Sequence, residues 1–431
     1  MNYGQCLEYL ESVLATGIKF GLANVRVVLK AIGQPHRAYP SVLVAGTNGK
    51  GSVCAMLASI LQSHGFRVGL YTSPHLVSIL ERIKVQGRPI PRQSFCQAIT
   101  LLKGVIDQLI GQGKLKAPLT YFETLTCLAF LYFREQKVDI AVVEVGMGGR
   151  LDATNVMTPL VSVITTVSRD HEEFLGRTVS QIAVEKAGII KRRVPVVCGL
   201  SRGRARWVIE RRAAKLKAPL ITVFGSQSNF SSLATARGHR FRFSLFGQDF
   251  SFTLPLRGEH QGRNAAVALA AALVLHQTWR LLKKDKILFG LSRTRWPGRL
   301  EIVSRHPLVV LDGAHNEEGA RALFSYARKF LPRPLTLVFG IMKDKSIRKV
   351  TRILFPLARI VILTSFPYRR AASPEKIKVA ARTIRERTIL ESDTRKAILK
   401  ALELTPRRGS ILITGSLYLV GEAKRQFPGW A

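Results

Sequence analysis

The chain has 431 residues, with 66 Lys and Arg against 28 Asp and Glu, and therefore a formal net charge of +38. Hydrophobic residues make up 47% of it, which excludes a disordered polycation, and because a single core rarely exceeds about 250 to 300 residues we expect two domains. Five cysteines without a C-x-x-C pair, and no apolar run long enough to span a membrane, lead us to expect a cytoplasmic protein.

Residues 41–199 alternate short apolar runs rich in β-branched residues with helical patterns. This alternation predicts a mostly parallel sheet with helices on both faces. The predicted strands are Ser41–Ala45, Arg67–Tyr71, Asp139–Val143, Leu160–Thr166 and Val194–Cys198. The predicted helices between them include Ser52–His64, Phe122–Arg134 and Val179–Ile190.

The second half of the chain begins a new series of strands and helices. Residues 225–256 alternate polar and apolar residues, which predicts an antiparallel appendage, and an Ala-rich helix is predicted at Asn264–His276. Pro297 and Gly298 then break the pattern, so we place a domain boundary there and predict domains 1–296 and 297–431. The predicted strands of the smaller, Rossmann-like α/β second domain are Leu308–Leu311, Leu335–Phe339, Ile360–Thr364 and Ser410–Thr414.

A glycine-rich turn follows the first predicted strand and opens a helix. Its sequence is Gly46-Thr47-Asn48-Gly49-Lys50-Gly51-Ser52. In such a P-loop type of turn, backbone N–H groups and the helix N-terminus face a phosphate, and the lysine reaches the terminal phosphates. Position 44 is Val and Gly51 separates Lys50 from Ser52, so the turn departs from the usual Walker A pattern.

Polar residues follow three further predicted strands. Ser73, Glu144 and the Asp170-His171 pair come after strand ends that meet the phosphate loop at one edge of a parallel sheet. Taken one at a time, Ser73 is typical of a turn cap, Glu144 of an ion-paired strand end and His171 of a loop histidine. Together with Lys50, they predict a Mg²⁺ site beside ATP phosphates, with oxygen ligands and one imidazole.

Two other segments stand out. Gly146 to Asn155 form a loop too rich in glycine and polar residues to be core, which favours close approach of its backbone to a substrate. Glu185-Lys186 lies on a predicted helix, where periodicity alone predicts a solvent-facing ion pair.

The motifs resemble those of folylpolyglutamate synthase and bacterial bifunctional dihydrofolate synthase, which belong to the Mur ligase superfamily. The resemblance spans nearly the whole chain. Its motifs are Gly46 to Ser52, Ser73 to Leu76, Thr120 to Glu123, Glu144 to Asn155, Asp170-His171, Glu185 to Ile189, Asp312 to Asn316 and Gly415 to Glu422.

The resemblance implies a role for each matching residue. Ser73, Glu144 and His171 would bind Mg²⁺, and Lys186, if carbamylated, would support a second ion. The residues implied to bind ATP are Gly46, Thr47, Asn48, Gly49, Lys50, Gly51, Ser52, Asn264, Arg299 and Asp312. The residues implied to line a pteroate or folate pocket are Thr120, Tyr121, Phe122, Glu123, Leu151, Asp152 and Ala153. Lys50, His171, Lys186 and His315 are the implied catalytic residues, although His315 fits a plain strand-end role equally well.

The resemblance also implies the reaction. An ATP-dependent ligase would activate a carboxylate of dihydropteroate or folate as an acyl phosphate and join it to L-glutamate, with the first domain holding ATP and folate and the second serving glutamate ligation. We expect a monomer with neither nucleic acid nor a membrane as partner. Three alternatives stay open: a folylpolyglutamate synthase only, a peptidoglycan-type Mur ligase, and a basic nucleic-acid-binding ATPase suggested by the charge.

Overall fold

The computed structural model describes residues 1–14, 21–225, 229–235, 238–279, 282–381 and 388–427. The larger of its two units is built on an eight-stranded sheet. Its strands are β1 (Ser41–Ala45), β2 (Val68–Tyr71), β3 (Ile83–Val85), β4 (Arg88–Pro89), β5 (Ile140–Glu144), β6 (Val161–Ile164), β7 (Val196–Cys198) and β8 (Leu220–Thr222). They lie in the order β4-β3-β2-β5-β1-β6-β7-β8. The six strands from β2 to β8 in this order are parallel, and β3 and β4 add an antiparallel edge.

Helices cover both faces of this sheet. In chain order they are α1 (Tyr3–Leu14), α2 (Ala23–Ala31), α3 (Lys50–Ser63), α4 (Arg92–Gly111), α5 (Tyr121–Glu135), α6 (Glu172–Leu175), α7 (Val179–Ala187), α8 (Arg204–Lys215), α9 (Glu259–Trp279) and α10 (Lys284–Arg293). The central strand β1 shows why two layers form, because its side chains alternate between them. Leu43 and Ala45 pack with α1, α2, α4 and α5, whereas Val42 and Val44 pack with α3, α9 and α10.

A small antiparallel sheet is inserted before α9, as the sequence predicts. Its strands are β9 (Phe230–Thr235), β10 (Gly238–Leu245) and β11 (Gln248–Leu254), in the order β11-β10-β9. The insertion is part of the core, because Phe241 and Phe243 are fully buried in the α3/α9 layer. The Phe241 ring lies directly against Gly262, leaving no room for a side chain there.

The smaller unit is a second parallel sheet with one antiparallel edge strand. Its strands are β12 (Glu301–Arg305), β13 (Leu308–Asp312), β14 (Leu335–Phe339), β15 (Ile360–Leu363), β16 (Thr388–Leu390) and β17 (Ser410–Thr414), in the order β12-β13-β17-β14-β15-β16. Its helices are α11 (Glu317–Phe330), α12 (Ile347–Leu354), α13 (Pro374–Ala381), α14 (Thr394–Leu404) and α15 (Leu417–Arg425). The predicted α/β class, with one mostly parallel sheet in each half of the chain, is confirmed. Among the helices of the described ranges, none is long and apolar enough to cross a membrane.

Most predicted elements are found, and the differences have local causes. β1, β14 and β17 have the predicted ends. β6 is shorter than predicted because Thr165 and Thr166 leave the strand to hold the glycine-rich turn. α9 begins at Glu259, five residues before the predicted start, so Asn264 lies in its second turn.

Candidate active site

A cavity of about 320 Å³ lies where the carboxyl ends of the two parallel sheets face each other, and we call it the cleft. Fifteen sequence-predicted residues line it: Gly46, Thr47, Asn48, Gly49, Lys50, Gly51, Ser52, Ser73, Glu144, His171, Lys186, Asn264, Arg299, Asp312 and His315. Residues far apart in the sequence are thus gathered at one site. The sheet-edge rule for parallel strands accounts for this convergence.

The glycine-rich turn connects β1 to α3 and is tied to the end of β6. The Thr47 N–H donates to the Thr166 carbonyl at 2.8 Å, and the Asn48 N–H donates to the Thr166 hydroxyl at 3.0 Å. Gly49 has φ of 83° and lies against the Asn264 side chain, so a Cβ there would collide. The turn is therefore a fixed cradle of backbone N–H groups at the start of α3, suited to an anion.

Lys50 supplies the positive charge of this cradle. Its Nζ donates to the carbonyls of Gly46 and Thr47 at 3.1 and 3.2 Å, which folds the ammonium group back over the turn. Both acceptors are uncharged. The ammonium charge is therefore available to phosphate oxygens in the cleft.

Glu144 ends β5 and is 4% exposed. One carboxylate oxygen accepts the Ser73 N–H at 3.0 Å. Burial raises the pKa of Glu144, and this is opposed by Lys50 and by the Ser73 N–H bond. A buried carboxylate beside a serine is an oxygen-rich setting that a cation would stabilise.

His171 and Lys186 complete this side of the cleft. His171 has φ of 51°, and burial lowers its pKa to about 4, which keeps the imidazole neutral at pH 7. Lys186 is 3% exposed, and burial together with the Lys50 charge lowers its pKa to about 7. The solvent-facing ion pair indicated by periodicity is therefore wrong for Lys186. Glu185 pairs instead with Arg150 at 2.8 Å, because the Gly146–Arg150 loop covers this end of α7.

The protein side chains of the cleft fit Mg²⁺ only together with phosphate oxygens and waters. Among the residues described, no three His, Cys, Asp or Glu side chains are grouped so as to hold a metal ion. The Ser73 hydroxyl, the Glu144 carboxylate and the neutral His171 imidazole do line the same cleft as the glycine-rich turn. Mg²⁺ commonly takes one or two carboxylates plus phosphate oxygens and waters, and these residues fit that pattern.

The predicted nucleotide residues come from both sides of the cleft. The Asn264 amide donates to Gln261 at 3.0 Å on α9. Asp312, at the end of β13, accepts the N–H groups of Leu300 and Ala314 at 3.0 and 2.9 Å, so its carboxylate also orders the chain between the two units. His315 Nδ1 lies 2.8 Å from the Gly313 carbonyl and must donate to it, which fixes the ring.

Two residues that sequence reasoning missed bridge the cleft. Glu318 accepts hydrogen bonds from Asn48 at 2.6 Å and from Ser168 at 2.8 Å. Lys345 pairs with Asp170 at 2.6 Å. Glu318 lies in the acidic first turn of α11, a signal for a helix start, and Lys345 follows β14 at the same sheet edge. Neither signal identifies the partner across the cleft.

Thr120–Glu123 and Leu151–Ala153 are the segments that the family resemblance predicts for pteroate, and for that prediction we call them the pteroate segments. They do not line the cleft. Thr120 and Glu123 form a reciprocal cap at the start of α5, with Thr120 N–H donating to Glu123 at 2.8 Å. Asp152 accepts the N–H groups of Met147 and Thr154 at 2.9 and 3.0 Å, and burial raises its pKa.

The aromatic residues of the first segment lie close to the cleft. Tyr121 lies under the Arg82 guanidinium at 5.4 Å. Phe122 packs directly against Gly146, which lines the cleft, so the segments adjoin it.

The sequence and the fold match proteins of known family. The profile of the Mur ligase middle domain matches residues 44–272, and that of the Mur ligase glutamate ligase domain matches residues 298–417. A Bacillus subtilis protein named dihydrofolate synthase/folylpolyglutamate synthase is 35% identical, over 98% of this chain and 99% of its own. The structure of Mycobacterium tuberculosis folylpolyglutamate synthase complexed with ADP and AMPPCP has a TM-score of 0.91 and 33% identity, covering 99% of each chain. E. coli FolC in complex with DHPP and ADP has a TM-score of 0.87 and 29% identity, covering 99% of this chain and 97% of that one.

Proposed function

This chain belongs to the Mur ligase family that contains the dihydrofolate and folylpolyglutamate synthases, and from that premise we propose that it joins L-glutamate to dihydropteroate and to folates at the expense of ATP. The observation that carries the proposal is the convergence on one cleft of the glycine-rich turn, Glu144 with Ser73, and Asp312 with His315. On this proposal the residues for phosphate binding, for cation binding and for glutamate ligation lie around one reaction centre.

ATP binds with its phosphates on Gly46 to Ser52 and its nucleoside toward Asn264, Arg299 and Asp312. The backbone N–H groups of the turn and the Lys50 ammonium hold the charge of the β- and γ-phosphates. This placement leaves the γ-phosphate facing Glu144, Ser73 and His171, which line the same cleft.

The reaction takes two steps. A carboxylate oxygen of the pteroate or folate attacks the γ-phosphorus and ADP leaves, giving an acyl phosphate. The glutamate amino group then attacks the acyl carbon, loses a proton and expels phosphate. Lys50 stabilises the negative charge that develops in the first step, and His315 orients the incoming glutamate.

Ser73, Glu144 and His171 would hold Mg²⁺, which would supply charge neutralisation at the transferred phosphoryl group. Lys186 is a candidate for carbamylation, since its amine is buried, has no carboxylate partner among the described side chains and lines the cleft. The carbamate would turn this cation into an anionic ligand for a second ion. Intact-mass measurement under bicarbonate, with Lys186→Arg as control, tests that modification.

The pteroate segments place the acceptor. Phe122 supplies aromatic surface beside Gly146 and Tyr121 supplies it beside Arg82, and the capped polar residues keep the backbone of both segments in place. On this proposal residues 1–296 hold ATP and acceptor, residues 297–431 serve glutamate ligation, and the enzyme acts as a cytoplasmic monomer.

The test is a phosphate-release assay with purified protein, ATP, Mg²⁺ and L-glutamate. Dihydropteroate and tetrahydrofolate are offered in separate reactions, and EDTA should stop both. Activity with tetrahydrofolate alone would restrict the enzyme to folylpolyglutamate synthesis. Phosphate release that ignores both acceptors and rises with RNA would replace the ligase by a nucleic-acid-stimulated ATPase.

A further inference from the structure

A buried ion pair joins the two units at the edge of the cleft. Lys345 Nζ lies 2.6 Å from Asp170 Oδ1, and the two side chains are only 8% and 9% exposed. The same ammonium group lies 3.2 Å from His171 Nε2. Lys345 thus contacts two consecutive residues of the larger unit, both of which line the cleft, and the second, His171, is a candidate metal ligand.

Asp170 holds more than one group of the smaller unit. Its second oxygen accepts the Asn316 amide at 3.1 Å and lies 3.6 Å from His315 Nε2. One carboxylate therefore connects the loop after β6 with the loops after β13 and β14. Lys345, His315 and Asn316 all come from the smaller unit, whereas His171 is the neighbour on its own loop.

The backbone around Lys345 fixes where its side chain begins. The Lys345 N–H donates to Met342 at 3.2 Å, and its carbonyl accepts the Ile347 N–H at 2.8 Å, so the residue lies in a tight turn before α12. A buried charge whose partner is removed is strongly unfavourable, whereas a pair removed together costs little. Asp170 consequently favours the arrangement in which Lys345 is in contact with it.

We propose that Lys345 is a positioning residue for the ligase reaction: by pairing with Asp170 it holds His171 and His315 in their places at the cleft and keeps the two units in contact. The role in catalysis rests on the proposed function. The contact between units stands on the geometry alone.

The first experiment compares Lys345→Met with Lys343→Met. Lys343 lies in the same turn and is exposed, and among the contacts described its side-chain ammonium group donates only to the Arg369 carbonyl, so it is a matched control. We expect kcat to fall about 100-fold in Lys345→Met, because small displacements of reacting groups have effects of that size, with KM for ATP within about twofold. Lys343→Met should keep both constants, and Lys345→Arg should recover part of the lost kcat.

The second experiment adds Asp170→Asn and the double variant Asp170→Asn/Lys345→Met. The double variant leaves no unpaired charge, so it folds even if the Lys345→Met protein does not. If the two residues act as one unit, the double variant loses no more kcat than the worse single variant. Additive losses, or a Lys345→Met enzyme with normal kcat, would overturn the proposal.

The third measurement needs no turnover. If the wild type ligates glutamate to neither acceptor, the proposed function has failed and small-angle X-ray scattering decides on the ion pair alone. A larger radius of gyration for Lys345→Met than for the wild type and Lys343→Met would support the contact between units. Equal radii for all three proteins would overturn it.

Discussion

The cleft and the pteroate segments adjoin each other, yet they use polar residues in opposite ways. Lys50 and Lys186 line the cleft without a carboxylate in contact among the described side chains, and Glu144 receives one backbone N–H. In the pteroate segments, Thr120, Glu123 and Asp152 are engaged in hydrogen bonds to their own loops. Lys50, Lys186 and Glu144 are thus left available to ligands, whereas the polar residues of the pteroate segments stabilise the conformation of their own loops.

The largest expected effect is a loss of catalytic activity at the cleft with the fold retained. Lys50→Ala and His171→Ala should each lower the ligation rate by at least about 100-fold, as the removal of an electrostatic contact at a reacting centre does. For Lys50→Ala the free energy of unfolding in urea should change by less than about 1 kcal/mol, since within the described ranges the Lys50 side chain bonds only to two carbonyls of its own turn. Lys103→Ala, at an exposed i,i+4 pair, is the control for loss of a charge. Near-normal rates in the two variants would refute the site.

The next effect concerns the pteroate segments, where a substitution should lower the stability of the fold more than the catalytic rate. Asp152→Ala should lower the free energy of unfolding by about 3 kcal/mol, because Met147 and Thr154 lose their buried acceptor. Urea titration measures the loss, and kcat per folded molecule should fall far less than in Lys50→Ala. Asp107→Ala removes an exposed carboxylate and should be nearly neutral. A stable but inactive Asp152→Ala protein would place this carboxylate on the substrate instead.

A pH titration sharpens the stability side of the comparison. The His36 ring packs at a tilt against Phe130 of α5, the helix that Thr120 caps, and burial lowers the pKa of His36 to about 4 from an ordinary 6.5. The unfolded state therefore binds more protons between those values. The contribution of neutral His36 is complete above pH 6.5 and is lost as the pH falls to 4, by about 3 kcal/mol. His36→Gln should unfold with a correspondingly weaker pH dependence, and an unchanged dependence would contradict the assignment.

The smallest effect concerns the cap itself. Thr120→Ala should cost about 1 kcal/mol of unfolding free energy, because the first turn of α5 loses its hydroxyl acceptor. Thr120→Ser keeps that acceptor and should cost much less. Thermal unfolding of the three proteins distinguishes them. Equal stability of Thr120→Ala and wild type would show that the cap contributes nothing.

The sequence predicts the cleft well because its main contributors follow a rule of topology. Lys50, Ser73, Glu144, His171 and Asp312 follow or end strands of parallel sheets, and such ends share an edge. The T-x-x-E pattern of Thr120 to Glu123 is also a sequence signature of a helix N-cap. The family resemblance predicts ligand contacts for the same residues instead.

The remainder depends on tertiary packing that local pattern does not encode. Lys186 is buried because a glycine loop covers the end of α7, and periodicity alone cannot detect a covering loop. Glu318 and Lys345 find partners in another unit, at sequence separations of 270 and 175 residues. Such pairings follow from how two sheets are apposed, which no window of sequence records.

The contact between Phe241 and Gly262 bears on how this chain can be shortened or recombined. The inserted sheet looks removable on a topology diagram, since β9, β10 and β11 form a separate hairpin meander. Its Phe241 ring nevertheless fills the place of a side chain on the first turn of α9, two residues before Asn264. Excising the sheet would leave a cavity beside α9 under the wall of the cleft that carries Asn264. Chimeras between relatives should therefore exchange the insertion and the start of α9 as one piece.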